Sequence, residues 1–142
     1  MKKIVLGAVS LISLVALTGC GDKKTLTCTS NSSDNGFTNE ITAVYEFDGN
    51  KMTKVTQTSS ITAEGDFAKY IDDYKDSAQT TADGFNKLNG FSAKVEASNN
   101  KVAVVVEMNP KKMSTDDYES YSMGENYDSM KAKLTDEGYT CK

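Results

Sequence analysis

Three thiols, Cys20, Cys28 and Cys141, are the side chains with the widest chemical range in this sequence. A thiolate can act as a nucleophile, bind a soft metal or form a disulfide. Nucleophilic use needs a neighbouring base, and the chain contains no histidine, so no Cys-His or Ser-His pair can be assembled. No two cysteines stand in CxxC spacing, which with the missing histidine argues against a metal site or a redox pair. Carboxylates cluster at Asp72-Asp73 with Asp76 and at Asp116-Asp117 with Glu119. Such oxygens suit a hard divalent cation. At these positions they read more simply as a solvated helix face and as an acidic first helical turn, which the helix dipole favours. "NSSDNGFTNEIT" has a glycine where a calcium loop has one, but lacks the acidic ligands at its start and the glutamate at its end. No G-x-S-x-G, Walker loop or G-x-G-x-x-G occurs. The expectation is a protein that is not an enzyme and holds no cofactor or metal.

All 16 basic residues are lysines, so no guanidinium fork is available for bidentate recognition of phosphate or carboxylate. The net charge is −4; without the first 19 residues, which carry Lys2 and Lys3, 14 lysines face 20 acids, a net −6. A chain of this sign without basic clusters is repelled by phosphate backbones and anionic lipid, which excludes nucleic acid as a partner.

The first 20 residues have an order of their own. Met1-Lys2-Lys3 is a basic start, and Ile4 to Leu17 is an uncharged apolar run of 14 residues. That run is short for a membrane span and fits a secretory leader. It ends in Leu17-Thr18-Gly19-Cys20, which resembles the lipobox of bacterial lipoproteins: an aliphatic residue, two small residues, then cysteine. The resemblance implies that residues 1–19 are removed and that Cys20 becomes a lipidated first residue. Each buried methylene contributes about 0.8 kcal/mol, and stable anchoring takes two chains; a diacylglyceryl thioether supplies them, with palmitate the expected acyl type. Acylation of Cys20 leaves an even pair in an oxidising compartment. Cys28 and Cys141 then read as a disulfide tying the start of the domain to its end. The predicted organisation is a leader over 1–19, a lipidated tether over 20–24, and one domain over 25–142.

The elements that must position these groups alternate between strand and helix patterns. Leu26 to Ser30 reads as a strand and Asn31 to Asn39 as a loop. Ile41, Ala43, Tyr45 and Phe47 alternate as a strand, "DGN" turns at Asp48 to Asn50, and Met52 to Ile61 returns. The register of this hairpin stays open, because Val44 and Val55 fall out of phase with the other apolar residues. Asp66 can cap a helix whose stripe runs Phe67, Tyr70, Ile71, Tyr74, Ala78, Ala82, Phe85 and Leu88, with Gly90 as its stop. Phe91, Ala93, Val95 and Ala97 then alternate against Val102, Val104, Val106 and Met108 across an Asn99-Asn100 turn of positive φ. Pro110 ends that strand. Lys111 to Gly124 reads as a connector with a helical turn near Asp116 to Ser120. A short helix follows from Asn126, with Gly138 and a last strand at Tyr139 to Lys142. The fold class is α+β: an antiparallel sheet from two hairpins plus terminal strands, with two helices packed on one face.

The order of lipobox, hairpin "DGNKMTKVTQTSSI", helix, hairpin "FSAKVEASNNKVAVVVEM" and closing helix resembles the YehR-like small bacterial lipoproteins. "NKMTKVTQTS" at Asn50 to Ser59 is the segment most similar. The resemblance implies an α+β lipoprotein of the cell envelope and brings no catalytic residues with it. Tyr118, Tyr121, Met123 and Tyr127 gather in the connector and the turn that follows it, where they either cover the core or form a contact patch. The resulting expectation is a non-enzymatic binding domain, anchored to the extracytoplasmic face of the cell membrane, that meets an envelope protein or peptide. The alternative is a small-ligand or cation-binding accessory protein of an envelope transporter.

Overall fold

In the computed structural model, which describes residues 22–142, Asn35 and Gly36 both adopt positive φ, 49° and 79°. They form a two-residue turn between β1 (Lys23–Asp34) and β2 (Phe37–Asp48). Positive φ at both central residues gives the turn whose twist matches paired strands. The loop expected over Asn31 to Asn39 is therefore the tip of a long hairpin. Its polarity has a simple cause: Asn31 to Asp34 are exposed on both faces, so no apolar alternation marks them as strand. A β-carbon on Gly36 would run into the Phe67 ring. Gly36→Ala is expected to lower stability by about 2 kcal/mol through that clash and the lost left-handed freedom, measured as a lower urea midpoint.

β3 (Lys51–Ala63) returns antiparallel to β2 after Gly49. The register shifts between Glu46 opposite Lys54 and Phe47 opposite Met52, leaving Thr53 as the extra residue. Its hydroxyl donates to the Glu46 carbonyl at 3.1 Å. Such a bulge rotates the strand by one position, and here it places Met52 and Val55 in the same core. That resolves the conflict of phase: Val55 is buried opposite Tyr45, while Val44 lies half-buried on the other face opposite Thr27 and Thr56.

The stretch expected to be one helix is two. A 3₁₀ helix (Gly65–Tyr70) precedes α1 (Ile71–Phe85). Asp66 is not its cap; it lies inside the first turn, and Glu64 stands at the cap position without a side-chain bond. Three residues per turn differ from 3.6, so Phe67 and Tyr70 fall off the buried stripe of Ile71, Ala78 and Ala82. Leu88, beyond the helix, is exposed as well. The helix ends before Gly90 because Asn86 captures the next strand. Its amide donates to the Ala93 carbonyl at 2.9 Å, and the Ala93 N–H donates back to its oxygen at 2.7 Å.

β4 (Phe91–Ala97) and β5 (Lys101–Met108) pair in the expected register, Phe91 opposite Met108 and Ala97 opposite Val102. Asn99 and Asn100 are not in the left-handed region, contrary to expectation; the Ser98 N–H donates to the Lys101 carbonyl and closes the turn. After a 3₁₀ turn at Pro110–Lys112, the connector holds α2 (Thr115–Ser120), capped by Ser114. α3 (Tyr127–Asp136) starts on a capping box in which Asn126 and Ser129 each accept the other's backbone N–H. Gly138 then leads into β6 (Thr140–Cys141).

The six strands form one antiparallel sheet in the order β4-β5-β3-β2-β1-β6. α1 lies on β4 and β5, and α3 on β1 and β6. Both cover the same face, because Val102 packs with Ile71 and Ala78 while Val106, two pleats along β5, packs with Met130 and Leu134. Lys23 and Lys24, assigned to the tether from sequence, are the first residues of β1, opposite Asp48 and Phe47. Leader residues 1–19 and Cys20 lie outside the described residues. In the chain, only Gly21 and Asp22 separate Cys20 from the sheet.

Candidate functional site

Cys28 and Cys141 form the expected disulfide, with S–S 2.00 Å and Cα–Cα 4.1 Å. Thr27 and Lys142, one step along, exchange backbone hydrogen bonds of 3.0 and 2.9 Å. The cysteines therefore occupy the neighbouring non-hydrogen-bonded pair, where antiparallel strands bring side chains closest. This position is structural. Among the described residues no cluster of His, Cys, Asp and Glu could hold a metal. Ser114 caps α2 and donates to Asp117 at 2.6 Å, which gives one carboxylate of the second acidic cluster a structural partner.

The four residues of the expected contact patch have three different surroundings. Met123 is 2 % exposed and belongs to the core. Tyr127 is half-buried, edge-on to Phe47 at 5.7 Å, with the Lys24 ammonium 5.8 Å from its ring centroid. Tyr121 and Tyr118 are exposed; Tyr121 rests on Phe91 at 5.1 Å, and Tyr118 faces Gly124. A continuous patch of all four does not form, because the core needs Met123 as its cover. Ser98 and Lys101 stand in S-x-x-K spacing. They close the exposed β4–β5 turn rather than opening a helix, so the spacing is incidental.

Tyr45, facing the core side of β2, has its phenol pushed up to about 12 by burial, with Tyr139 and Glu137 adding in the same direction. The folded state thus holds a proton that the unfolded chain releases near 10. Between pH 10 and about 12 the native state binds more protons, so stability falls as pH rises through that window. Urea midpoints at stepped pH should show this decline in the wild type and a shallower one in Tyr45→Phe.

Where the two helices part, the middle of the sheet is left open. β2 and β3 contribute Ile41, Ser59 and Ile61 to the floor of a cleft of about 440 Å³, walled by Tyr74, Ser77, Ala78 and Thr81 of α1. An adjoining recess of about 170 Å³ shares Ser59, Thr81 and Val104 and continues to Gln57, Phe85 and Tyr121. Gln57 donates to the Ser59 hydroxyl at 3.4 Å, and Thr81 donates to the Ser77 carbonyl at 3.0 Å. At the mouth, Phe37 meets Phe67 at 5.2 Å and Tyr74 at 5.5 Å, and Phe67 meets Tyr70 at 6.4 Å. Phe67, Tyr70 and Tyr74 are 39, 43 and 39 % exposed. Read from sequence, these three belong to a buried stripe; the 3₁₀ helix turns Phe67 and Tyr70 to solvent, and Tyr74 lies at the edge of the buried side of α1. Tyr121, named from the sequence, closes the other end of the groove. A second hollow, about 470 Å³, opens at the opposite end of the sheet, but its Lys54 is paired with Glu107 at 3.2 Å.

No family model matches the chain. A Listeria monocytogenes protein named Uncharacterized lipoprotein Lmo0207 is 31% identical over 107 residues, spanning 75% of this chain and 68% of that protein. Two structures solved by NMR share the fold. One is a protein from Streptococcus pneumoniae TIGR4, with TM-score 0.61 and 12% identity, covering 100% of this chain and 96% of the other. The second is E. coli YehR, with TM-score 0.62 and 14% identity, covering 84% and 92%. At such identities these two speak to the fold alone, which is that of the sheet and helices expected from the YehR-like resemblance. This chain therefore belongs to the same lipoprotein family as the Listeria protein and carries the fold of YehR.

Proposed function

We propose that the protein is a non-enzymatic binding domain held by acylated Cys20 on the extracytoplasmic face of the cell membrane, meeting an envelope protein or peptide with the end of the sheet remote from that anchor. The observation that carries this reading is the opposition of the two ends. β1 starts two residues after Asp22's neighbour Gly21 joins Cys20, and its 12 residues run to Asp34, opposite Phe37 of the aromatic mouth. At about 3.3 Å per residue the strand separates anchor and mouth by roughly 35–40 Å. Three residue steps between Cys20 and Lys23 reach no more than about 11 Å, whatever their conformation. The start of β1 and the β2–β3 turn are thus kept near the headgroups, while the mouth points away. At the far end Asp34, Glu64, Asp66, Asp72 and Asp73 outnumber Lys69, Lys75 and Lys101 near the Asn35-Gly36 turn and the start of α1. Repulsion from anionic lipid favours the same orientation.

Detergent phase partition of the full chain from its host tests the anchor. The wild type is expected in the detergent phase, and Cys20→Ser, unprocessed at the lipobox, without the acyl label that the wild type takes from radioactive palmitate. Equal labelling of both chains, or none of either, would end the proposal. The second reading, a small-ligand carrier serving an envelope transporter, draws on the cleft's volume of about 440 Å³, within the range of ligand pockets. The cleft lies open along the sheet rather than enclosed, which suits an extended occupant better.

A further inference from the structure

We propose that the corner where the α1–β4 loop meets the 3₁₀ turn at Pro110–Lys112 is a second membrane contact, in which Lys87, Lys111 and Lys112 bind the phosphates of anionic phospholipids and Leu88 enters the interface. The inference rests on the anchored reading above, since the occupant is the leaflet that carries acylated Cys20. Sheet register puts this corner at the anchor's end. Lys23 stands opposite Asp48, and Asp48 opposite Lys51 at the start of β3. Thr53 and Lys54, just beyond, line the hollow of about 470 Å³ together with Leu88, Asn89 and Lys112. In the strand order β5 lies three spacings from β1 and β4 four, about 14–19 Å at ~4.8 Å each. A tether of at most about 11 Å keeps that end of the sheet against the headgroups. The leaflet is therefore the surface this corner meets, and contact there adds a second point of attachment that holds the sheet upright.

The chemistry of the corner fits that occupant. Leu88 is 39 % exposed. The loop behind it is held: the Asn109 N–H donates to the Gly90 carbonyl at 2.7 Å, and a β-carbon on Gly90 would strike the Asn109 carbonyl and Met113 at 2.9 Å. Lys87, Lys111 and Lys112 are exposed, and among the described residues none of them is paired with a carboxylate. Lys54 answers Glu107 at 3.2 Å. Of the other acids nearest along the chain, Asp83 accepts from Gln79 and Asp117 from Ser114, which leaves Asp116. Toward β1 the same end has no excess of cations, because Asp22, Glu46, Asp48 and Asp128 stand among Lys23, Lys24 and Lys51. The three lysines cluster only in the fold, where Lys87 joins Lys111 and Lys112 from another part of the chain. Buried apolar area and attraction to anionic lipid act together at a membrane surface. A soluble polyanion would use the lysines and leave Leu88 in water.

The chain contains no tryptophan, so Leu88→Trp makes a single reporter at the corner. The full-length acylated variant is placed in nanodiscs of phosphatidylcholine, or of phosphatidylcholine with phosphatidylglycerol, both carrying the same share of lipid brominated in its acyl chains. Quenching of the tryptophan by bromine is expected in the phosphatidylglycerol discs and not in the others. Each charge removed, in Lys111→Gln and then Lys112→Gln, should lower the ratio of docked to undocked protein by about fivefold. Added salt should lower it too, while Lys69→Gln and Lys75→Gln at the far end leave it unchanged. Circular dichroism checks that the variants fold, and Asn89→Trp, at an exposed position, repeats the reading if Leu88→Trp does not. Quenching that is equal in the two discs, absent from both, or indifferent to the loss of Lys111 and Lys112 would overturn the inference. So would emission that responds to soluble poly(glycerol phosphate) in phosphatidylcholine discs and not to phosphatidylglycerol. Anchoring is read separately, from incorporation of the acylated chain. A chain that is neither acylated nor incorporated contradicts the location and the docking with it, whereas an incorporated chain without lysine-dependent quenching contradicts the docking alone.

Discussion

Replacing Cys28 and Cys141 together by alanine will lower the unfolding free energy by about 4 kcal/mol, and reducing the wild type will give nearly the same loss. The bond joins residues separated by 113 positions. In the chain-entropy account, closing a loop of that length restricts the unfolded state by about 4–5 kcal/mol. The native side adds to the effect. β6 has two residues and pairs with β1 alone, so little besides the disulfide and the Thr27–Lys142 bonds holds it. α3 leads directly into β6, and Leu134 and Met130 cover Leu26 and Cys28. Loss of the bond therefore frees the last strand and loosens the helix over β1. Urea unfolding of the oxidised, reduced and double-alanine proteins measures it. A midpoint unmoved by reduction would mean that packing alone closes the sheet.

Phe47→Ala will lower stability by about 3–5 kcal/mol, the range for emptying a large site in a packed core. Phe47 is 2 % exposed at the end of β2, beside Leu26, Met52 and Val55, with Tyr127 edge-on above it. The bulge at Thr53 brings Met52 against it, so the cavity is bounded by two strands and α3 and cannot readily collapse. Tyr118→Ala is the control: Tyr118 is exposed on α2, and its loss should change stability by less than about 0.5 kcal/mol. Equal effects of the two substitutions in urea unfolding would contradict the placement of the core.

The parts of the fold legible in the sequence are those in which one local rule decides. The β4–β5 register follows from strict alternation on both strands, and it holds although Asn99 and Asn100 do not turn by positive φ. α3 follows from Asn126 at its start, Met130 and Leu134 on its buried side, and Gly138 at its stop. The disulfide follows from cysteine parity once Cys20 is set apart. What escaped the sequence needed information from elsewhere in the chain. The β1–β2 tip is polar on both faces, so only its Asn-Gly pair betrays the turn. The Thr53 bulge shows up only as apparently conflicting phases at Val44 and Val55. Phe67 and Tyr70 match a helical stripe in spacing, yet the 3₁₀ segment aims them at solvent, and Tyr74 of α1 joins them beside Phe37. The cleft is invisible to any periodicity, because its floor and wall come from β2, β3 and α1 and are joined only in the sheet. Of the residues first named as a contact patch, Tyr121 alone borders it.

The central claim is that this domain is carried on the membrane by its own first residue. Mass spectrometry of the tryptic N-terminal peptide from the protein isolated from its host tests it most directly. The account predicts a peptide of Cys20 to Lys23 whose sulfur bears a diacylglyceryl group. A chain that begins elsewhere, or one with a free thiol at Cys20, would contradict it.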